Sequence, residues 1–435
     1  MERLLAHSRR PASSLDRARL LAHSQELLQP KARIASHRIG KTRSVKNCFS
    51  RRPASSRTGL ERHGQSRSAT AEDRFRVAQK KYTVEIPKMR YHAAAIQTAF
   101  DCPRDRSEIG ARVDRMCEMV EQTYSGYEPF FDVRLFAFPE FAHAAPVYAT
   151  VAELRKHLAV PVPNEHIDKY LKLCQKLGVF IQTGTFIEAP ADRDDVVYNT
   201  TVLCGPGGVR SIYRKVNPWI PWEVHASPHD VGADPATMFP VAQTEIGNIG
   251  CATCYDWLFP EATRQLAFNG AEVAVRVSAY MDPWGATPPM DWWTLFNRAR
   301  AAENTMFVVA ANQGAQMTGY PPFSWPGGSM IVDFDGRILA QADPGPGEKV
   351  VVAPIDIGAL RAERERRRGH DMRAHLRTEA YTYLNAPIFP PAGKTLIDID
   401  GNNRRIQEGR RAAKKPQTPN QAGNQAGNQA GGKSG

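Results

Sequence analysis

Residues 245–278 read EIGNIGCATCYDWLFPEATRQLAFNGAEVAVRVS, a strand, a turn, a helix and a second strand in succession. Glu245–Thr253 is small and apolar, Glu261–Asn269 reads as a helix closed by Gly270, and Ala271–Ser278 reads as the next strand. Pro260 stands where a first helical turn tolerates proline. The alternation continues in both directions. Upstream, Tyr91–Gln97 and Val133–Phe138 are short strands, Ser107–Tyr124 is a helix, and Glu165–Leu177 is a helix stopped by Gly178. Val179–Ile187 and Tyr198–Leu203 are strands, and the turn at Gly205-Pro206-Gly207-Gly208 sends Val209–Lys215 back as a hairpin. Downstream come a helix at Met290–Asn304 and a buried strand at Met306–Ala311. Ser329–Asp333 and Arg337–Ala342 then flank an Asp335-Gly336 turn, and Val350–Ile355 adds a last strand. Strands interleaved with helices predict an α/β layered domain of roughly 300 residues, and the hairpins predict a mixed sheet.

The chain has 435 residues and a net charge of +12. Residues 1–70 carry 16 Lys and Arg against 4 Asp and Glu, while the remainder carries 41 of each sign. The body is therefore neutral, which removes a nucleic-acid reading based on global charge. SRRPASS occurs at Ser8–Ser14 and again at Ser50–Ser56, and RLLAHS at Arg3–Ser8 and Arg19–Ser24. This composition predicts a basic, low-complexity arm over 1–88 that is disordered. It also fits an organelle transit peptide, or a gene model extended upstream of Met89. At the other end, residues 386–435 form a C-terminal arm that finishes in three NQAG repeats between Asn420 and Gly431. The domain itself is expected over 89–385. The 7 cysteines (48, 102, 117, 174, 204, 251, 254) form no dense framework. They point to a reducing, cytoplasmic setting, with an organelle as the alternative. No apolar run reaches membrane-spanning length.

Four segments end in reactive side chains: Phe138-Pro139-Glu140, Tyr213-Arg214-Lys215, Trp222-Glu223 and Thr253-Cys254-Tyr255. Cys254 follows a strand and precedes a helix. There the positive helix end is expected to lower the thiol pKa and raise its thiolate fraction. Glu140 at a strand end, in a partly dry pocket, would rise toward the range of a general base. Lys215 at another strand end can supply a fixed positive charge for an oxyanion. Glu223 follows a stiff aromatic loop, Asn217-Pro218-Trp219-Ile220-Pro221-Trp222, suited to a pocket wall. Each residue singly is more often a turn, surface or core residue; their joint occurrence carries the reading.

The order Glu, Lys, Glu, Cys, with FPE at Phe138–Glu140, YRK at Tyr213–Lys215 and CYDWLFPE at Cys254–Glu261, resembles the nitrilase superfamily of carbon–nitrogen hydrolases. The resemblance covers about residues 90 to 385. It implies a four-layer αββα sandwich with no metal or organic cofactor. It places the general base on Glu140, the oxyanion lysine on Lys215 and the nucleophile on Cys254. RKVNPWIPWE at Arg214–Glu223 is similar to the aliphatic amidase and formamidase branch, where a second glutamate completes the site, here Glu223. Arg276–Pro283 and the helix at Trp292–Glu303 are similar to that branch as well. His225-Ala226-Ser227-Pro228-His229 departs from it.

The resemblance implies hydrolysis of a small linear amide to acid and ammonia through a thioester on Cys254. Lys215 and the backbone N–H of Tyr255 would hold the oxyanion, and Trp219, Trp222, Trp257 and Trp284 are candidate pocket walls. The alternatives within the superfamily are an N-carbamoyl amino acid or amine hydrolase and a nitrilase. Outside it stands a binding scaffold that uses the basic arms. Cys251-Ala252-Thr253-Cys254 could suggest a redox or zinc motif. It lies deep in a large domain, with no second CxxC or paired histidines beside it. The partners expected are a small amide and further copies of the chain in a homodimer or larger assembly; membrane and nucleic acid are not expected.

Overall fold

The computed structural model describes residues 89–219, 223–282, 285–315, 324–367 and 369–385, with a few positions between 400 and 411. All fall in the compact unit Ile86–Gly435. The expectations for the arm 1–88 and for the repeat tail lie outside the described residues.

In chain order the first half holds β1 (Arg90–Gln97), α1 (Ile109–Tyr127), β2 (Val133–Ala137), α2 (Val151–His157) and α3 (Glu165–Leu177). β3 (Phe180–Gln182), β4 (Phe186–Glu188), β5 (Tyr198–Gly205) and β6 (Gly208–Arg214) follow. The second half holds β7 (Val241–Thr244), β8 (Gly247–Thr253), α4 (Pro260–Phe268), β9 (Val273–Ser278) and α5 (Trp292–Asn304). It ends with β10 (Phe307–Asn312), β11 (Met330–Val332), β12 (Ile338–Gln341), β13 (Lys349–Asp356) and α6 (Ile357–Arg366). Two sheets result, both mixed as expected. One runs β13-β1-β2-β3-β5-β4 with β6 paired to β5; the other runs β12-β11-β10-β9-β8-β7. Among the described strands, parallel ladders join β1–β2–β3 and β8–β9–β10, and a single parallel bridge ties Val160 to Glu188 of β4.

Side-chain alternation sets the layers. Tyr91, Ala93 and Ala95 of β1 pack in the core shared with the second sheet, while Ala94 and Ile96 pack under the helices. Ile109, Val113, Met116 and Val120 of α1, with Ile167, Tyr170 and Leu173 of α3, cover that outer face. Leu266 of α4 and Trp293 of α5 do the same for the second sheet. The order is helix, sheet, sheet, helix, the four-layer α/β sandwich.

Local chemistry fixes the elements that were easiest to read. In α3 the Asn164 side chain accepts from the N–H groups of His166 and Ile167, and Gly178 closes the helix at φ 68°. The strand expected over Val179–Ile187 is instead two strands, broken at Thr183-Gly184. There Thr183 Oγ1 accepts from the Val202 N–H at 3.0 Å, and Gly184 lets the chain carrying Glu140 pass close by. A Cβ on Gly184 would lie 2.6 Å from the Pro139 carbonyl oxygen and 2.7 Å from Ala142 Cβ. Gly184→Ala is therefore expected to destabilise the fold by about 1–3 kcal/mol, read from the urea midpoint. An unchanged midpoint would mean that the Pro139 segment gives way without cost.

Candidate active site

Three strand ends and one loop converge. β2 stops at Ala137 and delivers Glu140; β6 stops at Arg214 and delivers Lys215; β8 stops at Thr253 and delivers Cys254. Glu223 enters from the loop after Lys215. Lys215 Nζ donates to Glu140 Oε1 at 2.7 Å and to Glu223 Oε1 at 2.7 Å. All three side chains are buried. Glu140 accepts two further bonds, from Asn199 Nδ2 at 2.8 Å and from the Ala279 N–H at 3.0 Å. Gln313 Nε2 fixes the Glu140 carbonyl at 3.0 Å. Glu223 Oε2 accepts from the Trp219 N–H at 3.0 Å, and His225 Nδ1 stands 3.7 Å from the same oxygen.

The Cys254 turn is strained and stapled. Cys254 has φ 45°, a left-handed conformation that costs a non-glycine residue on the order of 1–3 kcal/mol. Asp256 offsets this. Its carboxylate, wholly buried, accepts from the Thr253 N–H at 2.9 Å, Tyr213 Oη at 2.6 Å, the Asn217 N–H at 2.8 Å and Asn217 Nδ2 at 2.9 Å. One side chain thus ties the β8 turn to the end of β6 that carries Lys215.

The charges divide the two glutamates. Burial raises the Glu140 carboxyl above its ordinary value, against the pull of Lys215. Burial acts the same way on Glu223, but the Lys215 ammonium and the neighbouring His225 outweigh it and hold Glu223 down at about 2. Two carboxyls pushed apart in this way suit different tasks, one exchanging a proton and one keeping its charge. Lys215 stays protonated, because the two carboxylates outweigh its burial.

Cys254 departs from expectation. Burial, and then the Glu140 charge, push its thiol up to about 12, with Lys215 and Arg276 pulling the other way. The expected lowering by a helix N-terminus does not arise. Cys254 opens a short 3-10 turn, Cys254–Leu258, and the α-helix proper begins only at Pro260. The resting sulfur is a thiol.

A cavity of about 330 Å³ opens onto these groups. Its described lining is Glu140, Phe141, Trp219, Glu223, Cys254, Tyr255, Leu258, Ala279, Tyr280, Met290 and Trp292. Of the residues expected to wall it, Trp219 does so, and Tyr255, expected to offer its backbone N–H to the oxyanion, lines it as well. Trp257 does not line it: it is fully buried behind the turn and donates its indole N–H to the Ala252 carbonyl at 2.9 Å. Trp222 and Trp284 lie outside the described residues. Sequence reasoning missed Asn199, Asp256, Tyr280 and Trp292. Asp256 lies inside CYDWLFPE, Tyr280 inside Arg276–Pro283 and Trp292 at the start of the helix Trp292–Glu303, so each stood in a marked stretch, and only Asn199 left no signal. Among the described residues no three His, Cys, Asp or Glu side chains gather to hold a metal ion.

Solved structures share this architecture. The Saccharomyces cerevisiae protein Nit3, described as a member of branch 10 of the nitrilase superfamily, aligns with a TM-score of 0.51 and 23% identity, over 65% of this chain and 96% of its own. A carbon–nitrogen hydrolase from Helicobacter pylori G27 aligns with a TM-score of 0.54 and 18% identity, over 69% of this chain and 99% of its own. The fold is therefore that of the nitrilase superfamily. Within it, the carbon-nitrogen hydrolase family model matches residues 92–365, and the chain belongs to that family. Its curated relatives include a formamidase of Bacillus cereus (strain B4264), 29% identical over 274 residues, which are 62% of this chain and 75% of the relative. A formamidase of Nitratidesulfovibrio vulgaris (strain DP4) is 30% identical over 255 residues, 58% of this chain and 69% of the relative.

Lys215 is the hub of the buried charges, so Lys215→Met leaves two carboxylates facing each other without a cation. It should destabilise the protein by about 3–5 kcal/mol in denaturant unfolding. Adding Glu223→Gln should recover part of that loss. No recovery would show that Lys215 supports the fold through packing and not through charge.

Proposed function

We propose that the protein hydrolyses small linear amides to the carboxylic acid and ammonia by acyl transfer through Cys254. One observation carries the reading: an ammonium clamped at 2.7 Å by each of two buried carboxylates, which line a cavity together with a cysteine on a strained turn. Glu140 is the base. Its raised affinity for protons suits it to take the thiol proton as the sulfur attacks the carbonyl carbon. The C–S bond forms, the carbonyl electron pair moves to oxygen, and the oxyanion is met by Lys215 and the Tyr255 N–H. Lys215 has three N–H donors and spends two on the carboxylates, so one remains for substrate. Glu140 returns its proton to the leaving ammonia, then activates the water that releases the acid from the thioester. Glu223, held as a carboxylate, orients the substrate nitrogen or the water.

The formamidase relatives favour a linear amide over the other carbon–nitrogen substrates. An N-carbamoyl amino acid brings a carboxylate, and the described cavity lining holds no arginine, histidine or free lysine to receive it. Nitriles use the same groups and rank behind amides.

The test is ammonia release from a panel of short amides, nitriles and carbamoyl amino acids, with mass spectrometry of Cys254. Cys254→Ala should be folded and inactive, and the wild-type protein should carry an acyl adduct on Cys254 during turnover. Turnover by Cys254→Ala at the wild-type rate would sink the proposal. Lys215→Ala should lower kcat by about 10²–10³-fold or more.

A pH profile supplies a second check. Glu140 must be ionised to act as base, and its carboxyl is raised above 4.5. Activity should therefore fall as pH drops through a midpoint above that of an ordinary glutamate. Glu140→Gln should remove this acid limb together with the activity. A limb at or below the ordinary value would assign the base elsewhere.

A further inference from the structure

Arg276 is the most unusual charge in the molecule outside the groups used so far. It lies on β9 and is fully buried. In the sheet it is paired with Ala252 of β8 and Ala310 of β10. Two alanines beside it leave room on that face for a guanidinium. The guanidinium carbon sits 4.4 Å from the ring centroid of Trp293, 5.3 Å from that of Tyr280 and 5.5 Å from that of Trp257. Its Nη1 donates to Asn297 Oδ1 at 2.9 Å, while Nε and Nη2 have no hydrogen-bond partner. No carboxylate pairs with it among the described residues.

A buried arginine kept only for structure usually meets a carboxylate or saturates its donors. Aromatic faces do something different. They stabilise the cation without neutralising it, so its field reaches whatever lies nearby. Ala252, the partner of Arg276 on the adjoining strand, stands two residues before Cys254, on the same face of the sheet. Ser278, two residues along β9 on the same face as Arg276, turns a buried hydroxyl to the Cys254 sulfur and also pulls its thiol down.

We propose that Arg276 is a positioning residue for the acyl-transfer step: a guanidinium without a counter-ion whose field draws negative charge from Glu140 onto the Cys254 sulfur as the proton moves. The proposal rests on Cys254 being the nucleophile. In this step the thiol proton goes to a Glu140 oxygen and its electron pair stays on sulfur, to form the bond to the carbonyl carbon. The charge balance is unchanged and only the charge's location shifts. Burial pulls Arg276 down to about 10, and among the negative charges opposing that pull the Cys254 sulfur counts most, ahead of Tyr280 and Glu140. Moving charge from Glu140 to sulfur therefore moves it toward Arg276. This removes part of the penalty for making a thiolate in a dry site.

The test follows the rate of alkylation of Cys254 by iodoacetamide at one fixed neutral pH, read by mass spectrometry on full-length protein, with thermal melting in parallel. Arg276→Gln should slow alkylation by about tenfold or more, the loss of thiolate fraction that one pKa unit brings, and lower kcat by about tenfold or more, with KM changed little. Arg276→Lys keeps a cation and should bring the rate back toward wild type. Asn297→Asp changes no shape and gives Arg276 a counter-ion. It should leave the melting temperature equal or higher, yet slow the alkylation of Cys254. If Arg276→Gln fails to fold, Asn297→Asp decides. Wild-type alkylation rates in whichever of these variants fold overturn the proposal and assign Arg276 to packing. Failure of iodoacetamide to inactivate the wild-type protein would instead count against Cys254 as nucleophile.

Discussion

Everything at the centre of this protein depends on one ammonium group shared by two buried carboxylates. Removing three ionised groups from water costs several kcal/mol for each ion, and only close contact with satisfied oxygens recovers that. The structure meets the requirement from four directions. β6 aims Lys215, β2 aims Glu140, the Trp219 N–H meets Glu223, and the Asn199 amide and Ala279 N–H complete Glu140. Remove the cation and the remaining donors face carboxylates they cannot neutralise. The two-sheet sandwich exists at this point to bring strand ends from both sheets to one cavity: Glu140 and Lys215 come from the first sheet, Cys254 and Ala279 from the second.

The fold could be read from the sequence where the local signals and the final packing agree. Glu165–Leu177 carries both its cap and its glycine stop, so its bounds match the structure. The strands that were read differ by a residue or two at their ends. α2 was missed because seven residues with two buried side chains give too little periodicity. α6 was missed because, of ten residues, only Ile357 and Leu360 are buried. β7 is a four-residue edge strand that does not stand out from loop. The break between β3 and β4 comes from Gly184 meeting a segment more than forty residues earlier, and no local pattern encodes such a meeting.

The site divides in the same way. Glu140, Lys215, Glu223 and Cys254 stand in contexts that mark them, and the structure brings them together. The groups that hold them are harder to read. Asn199 is the second residue of β5, the Ala279 donor is a backbone N–H, and Asp256, though inside CYDWLFPE, reaches back to Tyr213 and Asn217, about forty residues away. The charge state of the sulfur was misjudged for a physical reason. A helix dipole acts over its first turn, and the α-helix here starts six residues after Cys254, while desolvation acts on the sulfur directly.

That protonated sulfur bears on how the protein ages. Peroxide attacks thiolates, and the sulfenic, sulfinic and sulfonic acids that follow are reached fastest by exposed, ionised cysteines. A sulfur only 5% exposed, its thiol pushed up to about 12 by burial, sits at the slow end of that ladder.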